Sequence, residues 1–157
     1  MTIKFSESFH KRGGWWVVAQ FALFGLILLA LRWNEDPAVW LQVLGWVAVA
    51  VALVLGGSGA WVIRRKITAM PAPVAGAVLL ETGPFAIVRH PIYAAVIIGF
   101  VGLSLKGGNL AALLISLLLI PFFYAKTRHE EKLLTARFPE YDQYRQRVPA
   151  RILPWIL

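Results

Sequence analysis

Two short polar segments interrupt an otherwise apolar sequence, and both contain side chains that could do chemistry. A histidine or a carboxylate can move a proton or accept a hydrogen bond, and an arginine can orient an anion. Taken singly, these residues have simpler interpretations, such as a local backbone contact for the histidine and a solvated helix face for the carboxylates. A site exists only if the fold brings the segments together. They are Arg89-His90-Pro91-x-Tyr93 and Arg128-His129-Glu130-Glu131.

Several classes of site are excluded by the residues that the sequence lacks. The chain has no cysteine, so it can form no disulfide, thiolate nucleophile or Cys-ligated metal centre. It also contains no Gly-x-Gly-x-x-Gly and no Gly-x-Ser-x-Gly motif. A metal site is not expected, because His129 and Glu130 are adjacent and point to different sides of a helix. Any chemistry therefore uses groups other than a thiol.

The composition indicates that these segments are positioned by membrane-spanning helices. Apolar residues make up 59% of the chain and charged residues only 15%, and the mean hydropathy is +0.66. These values lie outside the range of soluble domains. The net charge of +8 does not indicate nucleic-acid binding, because the basic residues punctuate long apolar runs. The sequence predicts an all-α integral membrane protein in contact with membrane lipids.

Four apolar segments are long enough, or nearly so, to cross a bilayer as helices. They are residues 15–31, 38–63, 91–105 and 109–125. The first is interpreted as a retained span, because no small-x-small cleavage site follows it. The last two are separated by Lys106-Gly107-Gly108-Asn109, which predicts a helical hairpin. Its first arm is short, which would place Arg89 and His90 at the membrane boundary, beside a protein-lined pocket.

The distribution of basic residues predicts the orientation. With four spans, 14 of the 16 lysines and arginines lie on one side, and only Arg32 and Lys106 lie on the other. Positive residues concentrate in cytoplasmic loops. We therefore expect both termini and both polar segments to be cytoplasmic, in a bacterial-type inner or cell membrane.

The chain is expected to form one membrane domain over residues 1–157. Within it, residues 12–66 form two spans, 67–90 a cytoplasmic connection, 91–126 the hairpin and 127–157 a cofactor-binding tail. The connection should be irregular, with a short interfacial segment at 74–80, because prolines and glycines interrupt it. The tail should contain amphipathic helices, one over 126–138 and a second that Pro139 opens, with Trp155 at the interface.

The order and spacing of these motifs resemble the isoprenylcysteine carboxyl methyltransferase family, and more weakly the phospholipid N-methyltransferases. The resemblance covers about half of the chain, from Thr82 to the C-terminus; the first two spans match only in hydropathy. Family members commonly carry glycine where this chain has Ala94-Ala95, which affects the shape of the cofactor pocket. The residues that carry the resemblance are Gly83-Pro84-Phe85, Val88-Arg89-His90-Pro91-Ile92-Tyr93, Arg128, Glu130-Glu131-Lys132-Leu133-Leu134, Phe138, Glu140-Tyr141, Tyr144, Arg147-Val148-Pro149 and Pro154.

The resemblance implies an S-adenosylmethionine-dependent methyltransferase that acts at the cytoplasmic face on a hydrophobic or lipid-attached acceptor. It implies that Arg89 and Arg147 orient an anionic acceptor such as a carboxylate. The residues that it implies for cofactor binding are His90, Tyr93, Glu130 and Glu131.

Two other functions remain open at this point. The first is a reductase, because the chain's ending also resembles that of membrane sterol reductases, which use NADPH and share an Arg-His-Pro-x-Tyr element. The second is a non-catalytic membrane scaffold, which would bind neither cofactor. The Glu130-Glu131 pair favours the methyltransferase. The methyl acceptor and the oligomeric state are not determined by the sequence.

Overall fold

The computed structural model describes residues 13–64 and 79–154, which form five α-helices and one short 3-10 helix, with no strand in these ranges. The predicted all-α fold is confirmed. Most of the interfacial segment predicted at 74–80 lies outside the described residues, as does Trp155. The helices are α1 (Gly14–Ala30), α2 (Val39–Ile63), the 3-10 helix (Gly83–Ala86), α3 (Pro91–Lys106), α4 (Leu110–Arg137) and α5 (Tyr141–Arg147).

The helix lengths separate two candidate membrane spans from two shorter apolar helices. By length and composition, α2 and α4 can cross a bilayer. Helices α1 and α3 contain 17 and 16 residues. At about 1.5 Å per residue they are about 25 Å long, against about 30 Å of hydrocarbon. The prediction that the first arm of the hairpin is short is confirmed.

The helices do not pack in chain order. Helix α2 packs along α3, α3 packs against α4, and α4 packs against α1. The spatial order is therefore α2, α3, α4, α1, which places α3 and α4 in the middle. One polar segment lies at the start of α3 and the other within α4, so the site residues lie at an internal helix pair rather than at an edge.

The α2–α3 contact is close because glycines face each other. A Cβ on Gly102 would lie 2.8 Å from the carbonyl oxygen of Gly45, and one on Gly45 would lie 2.6 Å from the carbonyl oxygen of Gly102. Small residues at a helix interface let two backbones approach, which matters most where lipid removes the hydrophobic driving force. The two helices are also close at Gly56, where a Cβ would lie 3.2 Å from that of Ala95.

The hairpin turn forms where Lys106-Gly107-Gly108-Asn109 predicts it. Gly108 has φ of 62°, a left-handed conformation that favours glycine. Asn109 caps α4, its side-chain oxygen accepting a hydrogen bond of 2.7 Å from the Ala112 amide. The Asn109 amide group also donates to the carbonyls of Ala30 and Trp33. One side chain thus joins the end of α1 to the hairpin.

Helix α4 is longer than the apolar pattern indicates. The predicted span and the predicted amphipathic helix are one continuous helix of 28 residues, which includes Pro121. The prediction that Pro139 opens the next helix is wrong by two residues, because Pro139 lies in a turn and α5 begins at Tyr141. Beyond α4, the side chains of Phe138, Tyr141 and Tyr144 form a second apolar cluster with Val148.

Candidate active site

The connection before α3 is shaped by its glycine and prolines. Gly83 has φ of 60° and starts the 3-10 helix. Pro91 occupies the first position of α3, where its missing N–H costs nothing. Arg89 and His90 immediately precede that helix. Their backbone amides donate to the carbonyls of Ala150 and Arg151, at 3.0 and 2.9 Å. The C-terminal tail is thereby tied to the connection.

Glu131 is the centre of a buried ionic cluster. Its Oε1 atom accepts from Arg89 Nε at 2.9 Å and lies 3.2 Å from His90 Nε2. Arg151 binds both of its oxygens, at 3.2 and 3.0 Å. The Glu131 side chain is only 5% exposed. Two guanidinium groups and one imidazole thus face a single buried carboxylate.

Arg89 donates to three acceptors within the protein. Besides its bond to Glu131, its Nη1 atom donates to the carbonyls of Val148 and Pro149, at 2.6 and 2.7 Å. This side chain therefore connects the start of α3, the end of α4 and the tail. It is 7% exposed, so it is not an anchor that reaches out to lipid headgroups.

Glu130 has a different environment from its neighbour. The Tyr93 hydroxyl donates to Glu130 Oε2 at 2.9 Å, and His90 Nδ1 lies 3.9 Å from the same oxygen. The Tyr93 ring stacks on His90 and on Phe123, with centroid distances of 5.6 and 4.6 Å. The Glu130 side chain is 21% exposed. Because a carboxylate accepts up to about four hydrogen bonds, Glu130 retains accepting capacity for a ligand.

A buried lysine next to Tyr93 and Glu130 was not predicted as a site residue. Lys126 lies one helical turn before Glu130 and is 0% exposed. Its ammonium group donates to Gln20 Oε1 at 2.5 Å and lies 5.0 Å from the centre of the Tyr93 ring. The sequence contains one indication of this buried lysine, which is Gln20, the strongly polar side chain in the first apolar segment. Only the packing of α1 on α4 identifies its partner.

Five of the six predicted site residues lie together, and the sixth does not. Arg147 points to the surface, with its side chain 56% exposed and paired with Glu81. The second arginine of the cluster is instead Arg151, which sequence reasoning did not select. Its guanidinium also lies 5.0 Å above the Tyr124 ring. The residues that converge are Arg89, His90, Tyr93, Glu130 and Glu131.

The tail is further held by a buried tyrosine. The Tyr144 hydroxyl donates to the Phe85 carbonyl at 2.7 Å. Burial raises the pKa of the Tyr144 hydroxyl to about 12, so it remains a donor at neutral pH. Helix α5 is thus connected to the 3-10 helix that precedes Arg89 and His90.

A family model described as phospholipid methyltransferase matches residues 40–141, a range that contains most of this cluster. The chain belongs to the phospholipid methyltransferase family. Within that family, the likeness to isoprenylcysteine methyltransferases inferred from the motifs is confirmed. The protein-S-isoprenylcysteine O-methyltransferase of Schizosaccharomyces pombe is 40% identical over 76 residues, which are 47% of this chain and 32% of that protein.

Two bacterial relatives match a longer part of the chain. The nickel-cobalt-cadmium resistance protein NccN of Alcaligenes xylosoxydans xylosoxydans is 31% identical over 144 residues. The cobalt-zinc-cadmium resistance protein CzcN of Cupriavidus metallidurans is 30% identical over the same length. Each match covers 90% of this chain, but only 63% and 62% of the respective relative. The chain therefore spans less than two thirds of their length.

The fold is shared with a solved methyltransferase. The eukaryotic intramembrane Ras methyltransferase ICMT (isoprenylcysteine carboxyl methyltransferase) superposes with a TM-score of 0.68 at 21% identity. The match covers 92% of this phospholipid methyltransferase family chain and 54% of the ICMT chain. The helical arrangement described above is thus that of a known intramembrane methyltransferase fold.

Proposed function

We propose that this protein is an S-adenosylmethionine-dependent methyltransferase that acts on a hydrophobic or lipid-attached acceptor at the membrane surface. The observation that carries the proposal is the convergence of His90, Tyr93 and Glu130 in a chain of methyltransferase family and fold. S-Adenosylmethionine supplies an activated methyl group on a positively charged sulfur, which is transferred by in-line displacement. The protein then has mainly to position donor and acceptor.

The two glutamates are proposed to have different roles toward the cofactor. Glu130 is partly exposed and has accepting capacity left, which suits the ribose hydroxyls or the ammonium group of the cofactor. Tyr93 orients that carboxylate by a hydrogen bond of 2.9 Å, and His90 Nδ1 lies 3.9 Å from it. Glu131 already accepts from Arg89 and Arg151, so we assign it to positioning the cofactor residues rather than to the main cofactor contact.

The arginines that the resemblance links to the acceptor are also proposed to differ. Arg89 is buried and engaged by Glu131 and two carbonyls, so it is a positioning residue. Arg147 is exposed, and we propose that it attracts an anionic acceptor at the outer edge of the site. A carboxylate acceptor needs no general base, because its oxygen is ionised at neutral pH. An amine acceptor would need one, and we propose His90 or a carboxylate for that role.

The proposed placement in the membrane has four crossing helices, α1 to α4, in one domain. The termini and the ionic cluster would be cytoplasmic, as the distribution of basic residues predicts. An apolar groove of about 440 Å³ runs between α2 and α3. It is lined by small residues such as Gly56, Ala95 and Gly99, and it includes Ile92, next to Tyr93. Such a groove supports lateral entry of an acceptor with a long apolar chain.

The names of the two bacterial relatives concern metal resistance, and we do not extend a metal-binding role to this chain. The carboxylates of the cluster are engaged by arginine, histidine and tyrosine side chains. Within residues 13–64 and 79–154, no three histidine, aspartate or glutamate side chains are grouped as a metal ion would require.

Calorimetric titration of the detergent-purified full chain with S-adenosylhomocysteine, the product form of the cofactor, tests the proposal. NADPH serves as the control ligand for a reductase of sterol-reductase type. We expect saturable binding of S-adenosylhomocysteine and none of NADPH. Binding of NADPH alone would favour the reductase, and binding of neither would favour a non-catalytic scaffold.

A further inference from the structure

Tyr141 is a buried tyrosine whose hydroxyl has no partner in the described part of the chain. The residue is 1% exposed, and its ring packs in the cluster of Phe138, Tyr144 and Val148. Its hydroxyl oxygen is buried and forms no hydrogen bond with any residue in 13–64 or 79–154. The sequence alone suggests only packing for this tyrosine. Packing does not account for the hydroxyl, because burying an unpaired hydroxyl is unfavourable and phenylalanine would fill the same space.

Tyr144 provides the contrast within the same helix. It lies three residues later in α5, and the two rings meet edge to face at a centroid distance of 5.8 Å. The Tyr144 hydroxyl is paired, since it donates to the Phe85 carbonyl at 2.7 Å. Two buried tyrosines of one cluster thus differ in one respect. One hydroxyl stabilises the fold, and the other has no function within the described structure.

Tyr141 is connected to the ionic cluster through Val148. Val148, which packs in the same apolar cluster as Tyr141, offers its carbonyl to Arg89 at 2.6 Å, and Arg89 binds Glu131 at 2.9 Å. Burial raises the pKa of the Tyr141 hydroxyl; the charge of Glu131 raises it further and that of Arg89 lowers it. Tyr141 therefore remains protonated at neutral pH and lies within the field of the residues around the proposed cofactor site.

We propose that Tyr141 is a further cofactor-binding residue, whose hydroxyl donates a hydrogen bond to an acceptor atom of the bound adenosyl cofactor. This inference rests on the proposed function. A neutral, buried hydroxyl donor suits the oxygen and ring-nitrogen acceptors of such a ligand. Binding would then give the buried hydroxyl the partner that the protein does not supply.

The test compares Tyr141→Phe with the matched variant Tyr144→Phe. The full chain is purified in detergent, its thermal unfolding is followed without ligand, and the Kd for S-adenosylhomocysteine is measured by calorimetry. We expect Tyr141→Phe to unfold at the wild-type temperature or above, and to raise Kd about tenfold, as the loss of one hydrogen bond implies. Tyr144→Phe should unfold at a lower temperature and retain a nearly wild-type Kd.

Two results would overturn the inference, and they differ in what else they affect. If wild-type protein binds S-adenosylhomocysteine and Tyr141→Phe binds it equally well, Tyr141 is not a cofactor residue and the proposed function stands. If the wild-type protein does not bind S-adenosylhomocysteine at all, the proposed function fails and the inference fails with it.

Discussion

Glu130 and Glu131 are neighbours in sequence, but their surroundings differ. The Glu131 side chain is 5% exposed and balances the charges of Arg89 and Arg151. The Glu130 side chain is 21% exposed and interacts mainly with Tyr93 and His90. Removing one member of a buried ionic cluster leaves the others without compensation, whereas removing a partly exposed charge does not. The two residues should therefore respond differently to the same substitution.

Glu131→Gln should destabilise the protein. The amide cannot compensate the charges of Arg89 and Arg151, both of which are held close to the carboxylate. Leaving such charges buried costs about 3 kcal/mol. Thermal unfolding in detergent should show the loss directly. A variant as stable as the wild type, with only its cofactor affinity reduced, would show instead that Glu131 is a simple ligand residue.

Glu130→Gln should leave stability nearly unchanged and weaken cofactor binding. Its carboxylate accepts from Tyr93 at 2.9 Å, and an amide oxygen can still accept that bond. The substitution removes a charged hydrogen-bond acceptor for the ligand. We therefore expect the Kd for S-adenosylhomocysteine to rise about tenfold. Calorimetry of this variant beside Glu131→Gln separates the two roles. Unchanged affinity would remove Glu130 from the cofactor site.

At the scale of the elements, the position of α3 depends on contacts along its whole length. Its N-terminal end is held by the tail, through the amides of Arg89 and His90. Its C-terminal half lies against α2 at Gly45 and Gly102, where no side chain separates the backbones. A change that pushes α3 away from α2 would also shift His90 and Tyr93, which lie at the start of the same helix.

Gly102→Ala should destabilise the α2–α3 pair. The added Cβ would lie 2.8 Å from the Gly45 carbonyl oxygen, and backbone atoms cannot yield as a flexible side chain does. Overpacking of this kind costs about 1–3 kcal/mol. Gly57→Ala, in α2, is the control, because a Cβ there meets nothing within 4 Å. Equal unfolding temperatures for the two variants would argue against the close contact.

At the scale of the whole molecule, the proposed function requires the ionic cluster and the hairpin turn to face opposite sides of the membrane. The basic residues predict that the turn, with Arg32 and Lys106 beside it, is external. Asp36, before α2, and Asp142, in α5, are both exposed and lie on the two sides that the prediction distinguishes.

Because the chain contains no cysteine, single cysteines can report the orientation. In intact bacterial cells, a membrane-impermeant maleimide should label Asp36→Cys and should label Asp142→Cys only after permeabilisation. The reason is that the bilayer excludes the reagent from the cytoplasmic face. Labelling of Asp142→Cys in intact cells would reverse the proposed orientation and place the cluster outside.

Local features of the fold were accessible from the sequence. Uninterrupted apolar residues predict α1, α2 and α3, and the Gly107-Gly108-Asn109 turn predicts the hairpin. The continuity of α4 through Lys126 was not predicted, because the hydropathy changes at that residue although the helix continues. Pro139 also led to a wrong prediction of where α5 begins. Proline fits the turn before a helix as well as it fits the first position of the helix, so its presence does not distinguish the two.

The sequence by itself determined α1, α2 and α3, the turn between α3 and α4, and the two segments that contain the site residues. The tertiary structure decided which of their side chains meet. It pairs Glu131 with Arg151 rather than Arg147, and Lys126 with Gln20. The physical reason is that hydropathy and turn residues act over a few positions of the chain. Pairing between residues far apart depends on how helices cross and on where the tail folds back over α3.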